Sequence, residues 1–558
     1  MAKFLTAPDP NETGWPKGVK YIIGNEGCER FSFYGMKSIL QVHLTILFVA
    51  GGMYKELGEE NAQEMVHLFV AGVYAFPMIG AIIADRLLGK YHTILYLSMV
   101  YCLGHLVLSI AENSIGGMAL GLGLIAIGSG GIKPCVSAHV GDQFGKGNWN
   151  LVGKVFQAFY FIINFGSFFA TLLIPFIRSH PDRIWILRDY PEYATSVAFA
   201  IPGLLMFFAT IAFWMGRNVF VHVPPHPGGK VGLLDSIGAT LLFMGFIGLP
   251  LFGWGALSFS TNVVLTVSSV LIGLWVFEER QAIEQDDGFL AVMFHSVEAL
   301  IKGENQKAIK SLNASVEADS IHRHWFFASA AKRFGEEAAE GPRAVLRIIS
   351  VFFLVSVFWA LFDQHASSWV RQAQRMNLDV TLPGMPALSL LPSQISALNP
   401  LMVMALIPFN TFFLYPFITK RGWEMTPLRR MTIGMMTASL AFVVVAMIQV
   451  RINAGGEENM ISVLWQFFPY LIMTQAEVMV SITGLEFAYT QAPTRMKSTI
   501  MGFWLLSVSL GNKLTAVVTK LPDMDLLTSF WDFAGLMAVA AILFGLRSAF
   551  YKYRYYTQ

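Results

Sequence analysis

The chain has 558 residues, of which 54% are hydrophobic and 14% charged, whereas soluble domains average about half apolar and about a quarter charged. This balance points to a polytopic membrane protein. A formal net charge of +2, with the basic residues dispersed along loops, provides no patch for nucleic acid. The three cysteines, Cys28, Cys102 and Cys135, lie inside apolar segments, in neither a disulfide framework nor a metal-ligand spacing, and are expected to pack.

Residues 1–16 have no apolar core, so no cleaved signal peptide is expected. Apolar stretches of about 20 residues then predict spans near 18–50, 62–88, 91–111, 117–141, 151–178 and 193–216. Two more, near 232–254 and 259–278, follow a Pro- and Gly-rich break at 224–229. The pattern turns polar over 279–342, where helical pieces on the cytoplasmic surface are expected, not a catalytic domain. Six further spans are predicted near 343–372, 396–420, 427–450, 464–491, 497–519 and 528–551, about fourteen in all.

Arg86, Lys90, Lys146, Lys154, Lys420, Arg421, Arg429, Arg430, Arg495, Lys497, Lys552 and Arg554 fall on one side of this scheme. That side is expected to be cytoplasmic and to hold both termini. Arg178, Arg183 and Arg188 break the rule, beside the acidic Asp182, Asp189 and Glu192. The predicted fold is an all-α polytopic membrane protein of the major facilitator type. Its twelve core helices form two six-helix halves, 1–216 and 343–558, joined by a connector, 217–342, that carries two inserted helices. In that architecture a ligand binds near the midplane between the halves.

Charges inside the spans need a reason, because each costs roughly 2.5 to 3.5 kcal/mol at mid-bilayer on insertion scales. Glu26, Glu29 and Arg30 share one face of the first helix, and Phe33, Tyr34 and Lys37 continue the stripe. Two carboxylates sharing one guanidinium away from water do not both ionise comfortably, so one is expected to carry a proton at times. Lys133, in the glycine-rich run 128–134, sits at a similar depth; it either pairs with a carboxylate structurally or takes part in function. Glu477 lies in mid-span in the other half. Arg30 and Lys133 facing Glu477 make opposite poles, a field suited to a zwitterion, with Asn164 and Asn399 available for a peptide group. Tyr34, Tyr74, Trp359 and Trp504 offer apolar walls with polar tips, or simply pack. His67 and Asp363, nearer the outside and on opposite halves, form either a proton-sensitive latch or two unrelated groups. His43, His105, His139 and His365 are expected to be packing or helix-end residues. No His-Glu-x-x-His, Gly-x-Ser-x-Gly or bis-histidine spacing suggests an enzyme or a haem site, and no cofactor is expected.

The run from Glu26 to Gly35, Glu-Gly-Cys-Glu-Arg-Phe-Ser-Phe-Tyr-Gly, resembles the E-x-x-E-R-F-x-Y-Y-G signature of proton-dependent oligopeptide transporters. Stretches at 80–89, 156–167, 358–364, 399–400, 484–493 and 503–504 are similar to other signatures of that family. The resemblance implies a secondary active transporter coupling inward proton movement to uptake of di- and tripeptides by alternating access. A proton-coupled transporter of nitrate or another small anion is the alternative. It implies that Glu26, Glu29, Arg30, His67 and Asp363 couple protons. Lys133 and Arg30 would receive the peptide carboxylate, Glu477 the amino terminus, and Tyr34, Lys37, Tyr74, Asn164, Trp359, Asn399, Ser481 and Trp504 would complete the site. His67 with Asp363 matches the animal-like branch, while the two inserted helices are bacterial in character, implying a bacterial inner membrane with both termini cytoplasmic. Protons, short peptides and membrane lipid are the implied partners. Phe33 departs from the family pattern, which usually has tyrosine there.

Overall fold

The computed structural model describes residues 4–253, 257–283, 288–312, 320–366, 368–380, 388–389, 395, 398–455, 460–518 and 525–554. Six long helices come first: α1 (Val19–Ala50), α2 (Lys55–Ile83), α3 (Lys90–Ile110), α4 (Ile115–Asp142), α5 (Val152–Ser179) and α6 (Ala194–Met215). An inserted pair follows, α7 (Gly229–Phe243) continued by α8 (Leu249–Phe252), then α9 (Phe259–Ile283). The polar stretch holds three shorter helices, α10 (Phe289–Ile301), α11 (Glu304–Lys310) and α12 (Ala328–Phe334). The remaining elements are α13 (Glu336–Phe362), α14 (Ser368–Ala373), α15 (Leu398–Phe409), α16 (Tyr415–Lys420), α17 (Pro427–Gly455), α18 (Phe467–Glu477), α19 (Thr483–Gln491), α20 (Lys497–Val518) and α21 (Leu526–Ala549). A short antiparallel ribbon, β1 (Asp379–Val380) with β2 (Leu388–Ser389), lies between α14 and α15.

Among the described residues, 12 helices are long and apolar enough to cross a membrane. α2 and α20, with 29 and 22 residues, are also of spanning length. The helices match the expected spans closely, with two early starts. α2 begins at Lys55 and α13 at Glu336, each several residues before its apolar stretch. Charged opening turns such as Glu336 and Glu337 extend these helices, since acidic side chains favour a helix N-terminus.

Among the described residues, wide π turns interrupt four spans, at Ala84–Leu88, Met244–Gly248, Asn410–Leu414 and Val478–Ile482. The last begins immediately after Glu477, and such turns concentrate at functional sites.

In the first six helices, α1 packs on α5, α6, α2 and α4, and α3 on α4 and α6. In the last group, α17 packs on α21 and α18, and α13 on α20 and α21. The groups meet where α2 and α4 touch α20 and where α5 touches α15 and α19. Small residues allow the closest crossings. A Cβ on Gly80 would lie 2.4 Å from the Gly131 Cα, so α2 and α4 meet backbone to backbone within the glycine-rich run. A Cβ on Gly166 would lie 2.5 Å from the Gly27 carbonyl oxygen, which brings α5 against the start of the charged stripe on α1.

Candidate functional site

The stripe on α1 is a compact ionic cluster. Arg30 Nε donates to Glu26 Oε1 at 2.7 Å, and its Nη2 also lies 2.7 Å from that oxygen. Arg30 Nε is 3.4 Å from Glu29 Oε2, while the Ser129 hydroxyl on α4 donates to Glu29 Oε1 at 2.6 Å. Both carboxylates are buried. Their balance of one guanidinium and one hydroxyl leaves Glu26 Oε2 and Glu29 Oε2 without a hydrogen-bond partner among the described residues.

Lys133 is buried beside this cluster, within electrostatic reach of Glu26 and Glu29. Its Nζ lies 4.2 Å from the centroid of the Phe33 ring. Tyr34 is within electrostatic reach of Arg30 and Glu29 and also of Glu477 and Asp363, so it connects the two poles.

At the other pole Glu477 is buried on α18. The Tyr160 hydroxyl on α5 donates to Glu477 Oε1 at 2.5 Å, and Asn399 Nδ2 on α15 donates to Oε2 at 2.7 Å and to the Thr474 hydroxyl at 3.2 Å. Ser481 lies in the π turn with its hydroxyl beside Tyr160. Asn164, one turn beyond Tyr160, donates its amide N–H to the Tyr160 carbonyl at 2.9 Å, which commits that donor to its own helix. The Trp359 and Trp504 rings meet edge to face, 6.1 Å apart, and the Trp359 indole N–H has no hydrogen-bond partner among the described residues.

The structure thus gathers Glu26, Glu29, Arg30, Tyr34 and Lys133 at one pole and Asn399, Glu477 and Ser481 at the other. Asp363, just past the end of α13, lies within electrostatic reach of Lys37. The side chains of His67 and Tyr74 lie outside the described residues. Sequence reasoning passes over Tyr160 and Ser129, because a tyrosine or serine in an apolar helix gives no sign of a distant carboxylate. No group of three or more His, Cys, Asp or Glu residues able to hold a metal occurs among the described residues.

A second set of contacts closes the basic end of the bundle. Thr499 donates through its backbone N–H and its hydroxyl to Asp85 Oδ2, both at 2.8 Å. Lys90 Nζ is 2.7 Å from Asp142 Oδ2, and the Tyr489 hydroxyl donates to Asp142 Oδ1 at 2.9 Å. Lys497 is buried with its Nζ 3.7 Å from the Tyr489 ring centroid. Thr411 donates to Gln157 at 2.7 Å. The Asp85–Thr499, Asp142–Tyr489 and Gln157–Thr411 contacts tie 1–216 to 343–558.

The POT family model, PTR2, matches residues 91–528. Human solute carrier family 15 member 2 is 30% identical over 491 residues, covering 86% of this chain and 55% of the relative. Peptide transporter family 1 of Drosophila melanogaster is 32% identical over 448 residues, covering 79% and 48%. The chain therefore spans about half the length of the curated relatives it matches. Among solved structures, an auto-inhibited POT family peptide transporter superposes with a TM-score of 0.62 at 34% identity, covering 97% of this chain and 98% of that one. The POT family transporter PepTSo superposes with a TM-score of 0.63 at 38% identity, covering 96% and 98%. The major facilitator fold expected from the sequence is the fold found.

Proposed function

The chain belongs to the POT family, and from that premise we propose that it is a secondary transporter coupling inward proton movement to uptake of di- and tripeptides by alternating access. Members of the family are transporters, not enzymes. The observation that carries the reading is the pair of poles joined by Tyr34: the cluster of Arg30 with Glu26 and Glu29 on one side, and on the other Glu477, a carboxylate hydrogen-bonded among the described residues by the neutral Tyr160 and Asn399. A peptide ammonium supplies the missing positive charge at Glu477. Its carboxylate draws Arg30 from Glu26 and Glu29, which then take up a proton. Tyr34, Lys37, Tyr74, Asn164, Trp359, Asn399, Ser481 and Trp504 complete the walls.

Asp363, with Lys37 nearby and His67 on α2, serves as an outer proton-sensitive latch between the halves. In this reading the basic end and both termini face the cytoplasm of a bacterial inner membrane. The contacts of Asp85, Asp142, Tyr489 and Lys497 then describe a state closed to the cytoplasm, and they must break for release. The site disfavours nitrate, which Glu477 repels.

The deciding measurement is dialanine accumulation in proteoliposomes under an imposed pH gradient, acidic outside. Uptake above equilibrium is expected, and uptake unaffected by collapse of the gradient overturns proton coupling.

A further inference from the structure

The inserted helices pair tightly with each other and more loosely with the core. A Cβ on Gly245, in the π turn that continues α7, would lie 2.5 Å from Val270 Cγ2 on α9. Between this pair and the core runs a cavity of about 260 Å³. Met78 and Ile82 on α2 form one wall, Ala239 and Phe243 on α7 a second, and Phe503 on α20 a third. Segment 1–216, the connector and segment 343–558 therefore all line the same space.

Among the described residues the lining is apolar except at the basic end, where Arg86, Asp235, Arg280 and Thr499 stand. There Asp235 pairs with Arg280 at 2.7 Å and with Arg86 at 3.7 Å, while Thr499 donates to Asp85. The connector grips the same turn through its backbone: the His226 N–H donates to the Asp85 carbonyl at 3.0 Å, and the Gly228 N–H to the Arg86 carbonyl at 3.1 Å. Away from that end the cavity opens sideways. Phe246 lines it and is nevertheless 59% exposed, and Leu271 and Trp275 on α9 are exposed apolar side chains as well. Helices of spanning length with such a surface face acyl chains.

We propose that this crevice is a binding site for one acyl chain of a membrane phospholipid from the leaflet on the basic side. Water finds no polar partners along the apolar walls. In lipid the hydrophobic effect gives no drive for α7 to close onto the core, so van der Waals contact decides what fills the space. From Met78 to Arg86 the lining extends roughly 12 Å along α2, at about 1.5 Å per residue, a run suited to an extended hydrocarbon chain. Because Arg86, Asp235 and Arg280 engage one another, recognition is by shape and needs no headgroup charge. A chain seated here touches α2, α7 and α20 together, and so braces the two halves beside the contact between Asp85 and Thr499.

The test uses the whole protein in phosphatidylcholine vesicles containing a small share of phosphatidylcholine with a diazirine midway along one acyl chain. After illumination and digestion, adducts are mapped by mass spectrometry. Peptides carrying Met78, Ala239 and Phe503 are expected to be labelled several-fold above those carrying Leu204 and Phe208, which are exposed on α6. Ala239→Phe, which fills the cavity, should bring them down to the α6 level. Labelling of Met78 and Phe503 no higher than on α6 overturns the inference, and the parent protein decides this even if Ala239→Phe fails to fold. The bracing has its own readout. The Thr499 amide, which donates to Asp85, should exchange with deuterium several-fold more slowly in straight-chain phosphatidylcholine than in the diphytanoyl lipid, whose methyl branches obstruct entry to a narrow crevice. Equal exchange in the two lipids overturns the bracing.

Discussion

The two acidic centres of the site are held in opposite ways. On α1, Glu26 and Glu29 share the guanidinium of Arg30, so positive and negative charge sit together within one helical turn. On α18, Glu477 takes hydrogen bonds from Tyr160 and Asn399, both neutral, and these come from two other helices. Among the described residues Glu477 has neutral donors and no paired cation, whereas a cluster that is already paired needs only to exchange one partner for another. The comparison teaches that, on the proposed function, the two ends of a peptide are read by different physics. Its amino terminus completes a charge pair, and its carboxyl terminus redistributes one.

The largest expected effect comes from removing the Glu477 carboxylate. Glu477→Gln should lower dialanine uptake by about 100-fold or more, in line with the roughly 3 to 5 kcal/mol lost when one partner of a buried pair is deleted. The same substitution should barely alter competition by propionyl-alanine, which has no ammonium. Equal losses for both compounds would break the distinction between the poles. Next in size is Tyr160→Phe, which removes one hydrogen bond to a charged group, worth about 1.5 to 3 kcal/mol. It should raise KM about ten-fold through the Glu477 pole while leaving pH-driven coupling intact, and a loss of coupling at constant KM would show that Tyr160 belongs functionally to the other pole. The smallest effect concerns the framework that brings the poles together. A methyl at Gly166 would press on the Gly27 carbonyl at 2.5 Å, and overpacking of this kind costs about 1 to 3 kcal/mol. Gly166→Ala should lower the thermal unfolding midpoint of the purified protein by a few degrees. An unchanged midpoint would mean that α1 and α5 separate without strain.

The charged pole was legible in the sequence because its members lie three and four residues apart on one helix, and the spacing alone places them on one face. Lys133 was legible in depth, from its distance to the end of α4, but its seat on Phe33 was not. Depth along a helix says nothing about which side chain across the gap it meets, and a phenylalanine among apolar residues reads as packing. Glu477 was recognisable as a charge in need of a partner. Its donor Tyr160 lies 317 residues away in sequence, and nothing in the local pattern of α5 distinguishes that tyrosine from a packing one. The seal at the basic end was hidden in the same way. Lys90 and Lys497 read as charges flanking helix ends, and only assembly shows Asp85 held by Thr499 and Asp142 in contact with Lys90 and Tyr489.

What the sequence by itself determined is the set of helices and the existence of buried charge. Lipid forces each span to satisfy its own backbone hydrogen bonds, so apolar length translates directly into a helix, and an ionisable residue within that length stands out. The tertiary structure alone decided the pairing: which carboxylate is balanced by a guanidinium, which is left to neutral donors, and which lysine rests on an aromatic ring. Those outcomes depend on how the helices rotate and how closely they cross. Both are set by contacts such as Gly80 against Gly131 and Gly166 against Gly27, between residues that are far apart in the chain.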